Sequence, residues 1–387
     1  MQKTSDASGL SGARGRIDDL DREIVSLLVQ RLRLADEVAD AKAAAGRPVT
    51  DPAREREILA RISEEVGPAF GGGLRRVYTT LFGVSKARQR LRLGRGAPLL
   101  DELAAAETRS PFPETALVAC SGGEGAYAQQ AASRLFAAPA ILYFNGFESV
   151  FEAVEKGLCA YGVLPVENSS AGSVAAVYDL MQRHRFHIVR GVRLKVDHVL
   201  LANRGTSPGD VREIASHPQA LAQCSQFLKA HADVRAVPAT NTAVAARELA
   251  ASGRKDAAVI ASRACAELYG LDVLPAAVMD SAFNYTRFIC IARDLAVYPQ
   301  TNKVALMLSL PHRPGSLSDI LDRFASADVN LTKLESRSVL GSAFEYRFAF
   351  EFEADPSNPA VRALLADLST DPEIERFAFL GAYEEMA

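Results

Sequence analysis

GVLPVENSSAGSV, residues Gly162–Val174, decides how the middle of this 387-residue chain is read. The run Gly162-Val163-Leu164-Pro165-Val166 is too short for a helix and predicts a buried strand. It stops abruptly at Glu167, Asn168, Ser169 and Ser170, and Ala171-Gly172-Ser173 follows as turn material. A carboxylate, an amide and hydroxyls at the C-terminal end of a strand suit the ligand crevice of an open α/β sheet. A helix N-cap is the plainer reading, but a cap needs only one such residue.

Outward from this segment, short apolar runs alternate with helical patterns from Thr115 to about Val297. The runs are Ala116–Cys120, Ala160–Val166, Asp197–Leu201, Asp256–Ile260 and Thr286–Ala292. That rhythm predicts an α/β sheet. After Tyr298-Pro299-Gln300 the order changes to strand (Lys303–Leu310), helix (Ser316–Ala325), a strand pair around Gly341, helix (Pro359–Leu368) and strand (Ile374–Leu380). This βαββαβ order predicts a ferredoxin-like α+β unit. Toward the N-terminus, residues 14–93 read as three helices, with turns at Gly46-Arg47-Pro48 and Gly67–Gly73. Residues 96–114 read as a linker.

A chain of this length exceeds one core, so several domains are expected. It is 48% hydrophobic and 24% charged, ordinary for a globular protein. A net charge of −3 gives no general attraction to nucleic acid or to an anionic membrane. The charge is uneven, with 18 Lys and Arg against 13 Asp and Glu in residues 1–97, which leaves −8 on the remainder. No apolar run is long enough to span a membrane, and the first residues lack a hydrophobic signal region. Five scattered cysteines without CxxC spacing read as reduced thiols, so a cytoplasmic location is expected. His184 and His187 are three apart, with no neighbouring acid or cysteine in the sequence to complete a metal site.

The first helix carries Ile17, Leu20, Ile24, Leu27, Leu28, Arg31, Ala35, Val38 and Lys42 along one stripe. Arg31 and Lys42 are eleven positions apart, so they point within roughly 20° of each other on an otherwise apolar face. Arg14 falls on the flank, about 100° from Arg31. In the second helix, started by Asp51 and Pro52, Arg54 and Glu55 continue the face of Ile58, Leu59 and Ile62. In the third, Tyr78, Leu81 and Phe82 lead to Ser85 and Gln89. Snorkelling explains any one of these polar groups. It is a poor account of three helices all presenting them inward, because unpaired buried charge costs several kcal/mol. A bound dianion would satisfy them.

The spacing Arg14…Arg31…Lys42…Asp51-x-x-Arg54-Glu55…Ser85-x-x-x-Gln89 resembles the all-helical chorismate mutase domain. The resemblance implies that Arg31, Arg54 and a partner subunit's Arg14 hold the substrate's two carboxylates. It further implies that Lys42 and Gln89 bond the ether oxygen, that Asp51 and Glu55 meet the ring hydroxyl, and that Ser85 lines the site. It also implies an intertwined dimer.

Three more segments accompany the opening one: Ser216-His217-Pro218-Gln219-Ala220-Leu221, Thr240-Asn241-Thr242-Ala243 and Asn284-Tyr285-Thr286-Arg287-Phe288. Together with Gly162–Val174 they resemble the prephenate dehydratase family. That implies a two-lobed, periplasmic-binding-protein-like α/β domain over residues 115–298 with its site in the cleft. Thr286 is then the proton donor to the leaving hydroxyl, Arg287 a carboxylate anchor, and Glu167, Asn168, Ser169 and Gln219 shape the pocket. The family's first turn usually follows its glycine with a hydroxyl–aromatic–hydroxyl triplet, whereas Gly125 here precedes Ala126-Tyr127-Ala128. Asn241 also stands where a serine is common.

Residues 302–387 resemble the ACT regulatory domain through Arg313-Pro314-Gly315-Ser316-Leu317 and Asn330-Leu331-Thr332-Lys333-Leu334-Glu335-Ser336-Arg337. Ser338 replaces the proline usual after Glu-Ser-Arg. The resemblance implies phenylalanine binding between paired domains, at Gly315, Ser316, Leu317, Asn330, Leu331, Glu335 and Ser336. The expectation is a bifunctional enzyme of residues 1–95, 115–298 and 302–387. It takes chorismate and prephenate, answers to phenylalanine, needs no cofactor or metal, and forms a homodimer or tetramer. A non-aromatising prephenate decarboxylase and a non-catalytic amino-acid sensor are the alternatives.

Overall fold

The computed structural model describes residues 4–339 and 345–386, with side chains from Leu10 onward. The strand pair expected around Gly341 is observed on either side of it, but Gly341 itself lies outside the described residues. The chain divides into two compact units. One gathers the N-terminal residues through Glu102 with Pro311–Asp328 and Pro359–Glu375; the other holds Leu103–Leu310, Val329–Asn358 and the residues from Arg376.

In the first unit, the opening helix Thr4–Ala44 runs 41 residues, about 60 Å. A second helical run, Pro52–Arg92, begins with Asp51 as N-cap, whose carboxylate accepts from the Arg54 N–H, and with proline in the first turn. Gly67 alone breaks it, at φ 69°, with Pro68 restarting the helix. The chain doubles back there, so that a Cβ on Gly71 would stand 3.9 Å from the Ser63 Cα. The expected third helix is therefore present, but the turn is narrower than Gly67–Gly73, since Gly71 to Gly73 are helical. Arg88 clasps Asp36 and Arg92 clasps Asp40 through paired bonds of 2.6–2.8 Å, fixing the register of the outer helices. The C-terminal helices Ser316–Ser326 and Pro359–Thr370 join this unit through charge. Arg90, 1% exposed, donates to Asp367 at 2.7 Å, and Arg323 pairs with Asp367 and Asp371.

The second unit holds two sheets. The larger orders its principal strands as Asn330–Ser338, Tyr346–Glu353, Lys303–Ser309, Arg376–Met386, His187–Lys195, Tyr285–Ala292, Tyr161–Asn168, Leu117–Ser121 and Ala140–Phe144. Its first four strands, all antiparallel, have the ferredoxin-like order that βαββαβ connectivity predicts. The boundary at residues 298–302 is not a boundary between sheets. Arg376–Met386 outruns its partner strand, and Glu384 to Met386 pair in parallel with Arg190 to Val192. Gly381 permits this, because a Cβ there would lie 2.1 Å from the Ile188 carbonyl. The stretch read as a linker also contains a helix, Ala97–Ala106, with Leu103 buried.

The smaller sheet orders Asp272–Val273, His198–Ala202, Ala257–Ser262, Glu213–Ser216 and Arg235–Pro238. The central region is thus a two-lobed α/β structure with apolar clusters in each lobe. Two crossings join the lobes, and the Val196 N–H donates to the Asn284 carbonyl between them at 2.8 Å. All five thiols are buried and unpaired. His184, expected to lack an acidic neighbour, contacts Glu155 at 2.8 Å across a tertiary contact invisible in the sequence. Among the described residues, no helix is long and apolar enough to cross a membrane.

Two candidate active sites

The opening segment delivers its residues alternately. In a strand, neighbours point to opposite faces, so Asn168 and Glu167 cannot share a pocket. Asn168, 3% exposed, turns into a cavity of about 730 Å³ between the two lobes. Antiparallel pairing sets Thr286 directly opposite it, and the Asn168 amide donates to the Thr286 hydroxyl oxygen at 2.9 Å. The same nitrogen donates to Asn284 Oδ1 at 2.7 Å. Asn168 Oδ1 accepts from the N–H groups of Ser170 and Ala171, both at 3.0 Å, and from Gln223 Nε2 at 3.2 Å. The amide therefore has one orientation, with its NH₂ toward Thr286. A bond received at Oγ1 leaves the threonine's own proton free to point elsewhere. It also makes that proton more acidic.

Glu167 and Arg287 lie on the other face, which corrects their expected place in the pocket. Glu167 Oε1 pairs with Lys333 at 2.7 Å and Oε2 with Arg287 at 3.5 Å. Arg287 is buried and donates to Glu351 and, at 3.0 Å, to the Tyr383 hydroxyl, with Glu385 3.3 Å away. Burial disfavours its charge, but Tyr383, Glu351 and Glu385 outweigh that and raise its pKa. Ser169 is also outside the cavity lining. Its hydroxyl donates to the Phe283 carbonyl and accepts from the Tyr285 N–H, stapling the neighbouring strand. Gln219 does line the cavity, beside His217, whose Nδ1 caps the Gln219 N–H at 3.2 Å.

No lysine or arginine lines this cavity among the described residues. Positive potential comes from backbone instead. Ala126 and Gly146, both in the lining, are N-caps of the nine-residue helices Tyr127–Leu135 and Phe147–Glu155, and neither supplies a side-chain cap. Their first N–H groups are open to an anion. Asn241 caps a third helix, Thr242–Ser252, with Oδ1 accepting from Ala243 N–H at 2.8 Å. Gly122, at φ 96°, lies under it; a Cβ there would meet Asn241 Nδ2 at 2.4 Å. Gln223, Asn284 and His198 are pocket-network residues that sequence reasoning missed. Gln223 stands four positions after Gln219, on the same helical face, and that spacing was the available signal.

A second cavity, about 270 Å³, opens among the N-terminal helices. Arg31, Lys42, Asp51, Arg54, Glu55, Ser85 and Gln89 all line it. Arg31 donates to the Ser85 hydroxyl at 2.8 Å and stands over the Phe82 ring. Lys42 reaches the Val49 carbonyl, and Arg54 pairs with Glu57 at 2.6 Å. Lys86, also missed, pairs with Glu55 at 3.3 Å. Gln89 is buried and its Oε1 has no hydrogen-bond partner among the described residues. Arg14 stays exposed, outside the lining. Around it Ile17, Leu20, Ile24 and Leu27 are 51–62% exposed, an uncovered apolar stripe on one helix.

The residues expected to bind an effector are divided between the two units. Gly315, at φ 91°, caps Ser316–Ser326, with Ser316 buried and Leu317 half-buried. On the edge strand, Asn330 bonds Glu353 at 3.0 Å, Leu331 is half-buried and Ser336 exposed. Glu335 accepts from the Ser173 hydroxyl at 2.7 Å, which ties that strand to the opening segment.

The family model described as Prephenate dehydratase matches residues 118–296, and that described as Chorismate mutase type II matches residues 13–90. The chain is 31% identical over 370 residues to a bifunctional chorismate mutase/prephenate dehydratase of Enterobacter agglomerans, across 93% of this chain and 92% of that protein. It is 39% identical over 278 residues to arogenate dehydratase/prephenate dehydratase 2 of Arabidopsis thaliana, across 69% of this chain and 72% of that one. A solved prephenate dehydratase from Arthrobacter aurescens, in complex with L-Phe, matches with TM-score 0.63 and 28% identity over 69% of this chain and 90% of that one.

Proposed function

Because the chain belongs to the bifunctional chorismate mutase/prephenate dehydratase family, we propose that it converts chorismate to prephenate and prephenate to phenylpyruvate. The observation that carries the second activity is the bond from Asn168 to the Thr286 hydroxyl inside a cleft of suitable size. Loss of the ring hydroxyl from prephenate needs a proton, and Thr286 supplies it. The ring carboxylate leaves as CO₂, and the electron pair it releases completes the aromatic ring as water departs. The open helix N-termini at Ala126 and Gly146 hold the substrate's carboxylates. They do the work of the hydroxyls that Ala126 and Ala128 lack.

The mutase reaction is a pericyclic rearrangement and needs no nucleophile. Its catalyst holds a compact conformer and stabilises charge growing on the ether oxygen. Arg31 and Arg54 take the carboxylates, Lys42 and Gln89 the ether oxygen, and Asp51 and Glu55 the ring hydroxyl. A second copy of the chain covers the apolar stripe of the first helix and brings its own Arg14 to the site.

Residues 302–387 form an ACT-like regulatory domain to which phenylalanine binds, through Gly315, Ser316, Leu317, Asn330, Leu331, Glu335 and Ser336. Inhibition then requires a higher effector affinity in a less active quaternary state. Five buried free thiols suit a reducing compartment, and we place the protein in the cytoplasm.

The test supplies chorismate, prephenate and arogenate separately to the full chain and identifies the products. Phenylpyruvate from both of the first two is expected, with turnover falling when phenylalanine is added. Accumulated prephenate would overturn the dehydratase reading. Turnover of arogenate alone would move its substrate to the aminated acid named for the Arabidopsis relative.

A further inference from the structure

Five strands separate the edge strand Asn330–Ser338 from Tyr161–Asn168 in the hydrogen-bonded order of the larger sheet. Side chains of the two nevertheless meet, so the sheet curls until this edge returns to the strand that carries Asn168. Alternation along the edge strand puts Leu331, Lys333, Glu335 and Arg337 on its covered face. Ser173 donates its hydroxyl proton to Glu335 at 2.7 Å and accepts from the Lys333 ammonium at 2.6 Å. Lys333 also bonds Glu167 at 2.7 Å, and Arg337 grips Asp179 of the helix Ala175–Met181 through two bonds of 2.9 Å. A hydroxyl has one proton to give and lone pairs to accept with, so Ser173 is engaged on both sides, by an anion and by a cation. No reaction step above uses these bonds.

Ser173 is one end of a hairpin whose other end is in the dehydratase site. Gly172–Ser173 folds back on the strand before it, with Ser173 opposite Glu167 and Gly172 opposite Asn168. Within the turn, the N–H groups of Ser170 and Ala171 fix Asn168 Oδ1, and the Asn168 amide bonds the Thr286 hydroxyl. The neighbouring cross-strand pair, Glu167 with Arg287, backs Asn168 and Thr286 on the opposite face. The regulatory strand thus clasps the short hairpin that orients the proposed proton donor. All of these contacts lie within the second unit.

We propose that this clasp is the device by which phenylalanine acts on the dehydration, with Ser173 as its handle. Clasped, the hairpin holds Asn168 in the polarity that Thr286 needs. Glu335 is also one of the effector contacts proposed above, and a charged ammonium outcompetes a neutral hydroxyl for a carboxylate. Glu335 bonded to Ser173 and Glu335 bonded to effector are therefore alternative states of the strand. Phenylalanine binds better to the released one, which is the differential affinity that inhibition requires. The inference rests on the dehydratase reading and on phenylalanine as the effector.

The experiment uses the full chain carrying Ser173→Ala, Ser173→Thr or Lys333→Met. Dehydration of prephenate is followed with and without phenylalanine, and phenylalanine binding is measured by calorimetry. Chorismate turnover without phenylalanine stays at the parent level and reports an intact fold. Ser173→Ala leaves the hairpin released, so its dehydratase kcat is expected to fall to that of the parent saturated with phenylalanine. Added phenylalanine lowers it no further, and phenylalanine affinity rises by a factor within the range of about 5–150-fold that such couplings span. Lys333→Met shifts all three readings in the same direction and carries the same test should the alanine variant not fold. Ser173→Thr keeps the hydroxyl and restores both activity and inhibition.

A parental kcat in folded Ser173→Ala would overturn the proposal. A lowered kcat that phenylalanine still reduces by the parental factor would do so too, because a merely structural contact gives that result. Loss of phenylalanine binding would make Ser173 an effector contact instead. Failure of the parent chain to dehydrate prephenate, or to respond to phenylalanine, is a separate result that removes the underlying reading rather than the role of the clasp.

Discussion

The two cavities differ in the charge of their linings and in how fully their polar groups are paired. In the cleft between the lobes, Asn168, Asn284, Gln223 and Thr286 bond one another, and no lysine or arginine lines it among the described residues. The cavity among the helices is unfinished. Its cations are in place, but Gln89 Oε1 has no partner among the described residues, Arg14 is exposed, and the flanking apolar stripe is exposed too. A site that reads a proton's direction needs a closed, over-determined network. A site that grips a dianion can be assembled from two surfaces, each soluble enough to exist before they meet.

Removing Thr286, the proposed proton donor, should give the largest effect. Thr286→Ala is expected to lower dehydratase kcat by roughly 10³-fold or more, within the range for a lost general acid. Thr286→Ser restores a large part and chorismate turnover is untouched in both. An alanine variant with near-parental dehydration would mean that the proton comes from elsewhere.

In the open cavity, losing Gln89 as the proposed donor to the ether oxygen would cost about 2.7–4 kcal/mol in the barrier, or about 10²–10³ in kcat. Gln89→Ala is therefore expected to lose mutase activity selectively. Gln89→Glu sharpens the point, because only the protonated acid can donate. Its mutase activity should rise as pH falls below neutral, and a pH profile unchanged from the parent would remove Gln89 from that role.

The face of the sheet behind Thr286 is where charge belongs to stability. Arg287→Ala strands Glu351, while Glu385 keeps Lys303 and Arg193, and breaking such a buried pair costs about 3–5 kcal/mol. Urea unfolding should register that loss, while simultaneous replacement of Arg287 and Glu351 by methionine and leucine recovers much of it. A smaller effect is expected from acid. Burial pushes the Glu385 carboxyl up, but Arg287, Lys303 and Arg193 outweigh it and hold the pKa below the ordinary value. A carboxyl lowered in the folded state stabilises fully above its unfolded pKa of about 4.3 and loses that contribution as pH falls through the folded value. Stability should therefore decline below about pH 4, and less steeply in Glu385→Gln.

Much of this was legible before any coordinates. Helical spacing alone placed Arg31, Lys42, Arg54, Glu55, Ser85 and Gln89 around one cavity, because a 3.6-residue period is a strong constraint on direction. Arg14 stood apart in the sequence for the same reason it stands apart in space. The strand residues were read less well. Glu167 and Asn168, like Thr286 and Arg287, are neighbours, and period-two alternation forbids both members of either pair from entering the cleft. Motif reading joined what the pleat separates. The merged sheet was not legible at all, since three residues of overhang at Glu384 to Met386 carry no signal of their partner. The polarity of Gln223 is also a tertiary fact, fixed by its bonds to Asn168 and Asn284.

The contrast between a finished and a shared site is tested most directly by mixing inactive chains. Arg14→Ala and Gln89→Ala would be co-refolded, and mutase activity compared with each alone. If the helical site is built from two copies, half of the random pairs regain one good site of two, roughly a quarter of parental mutase activity. The same mixture of Thr286→Ala with Asn168→Ala should stay as inactive in dehydration as its components. No mutase recovery in the first mixture, or recovered dehydration in the second, would contradict the account.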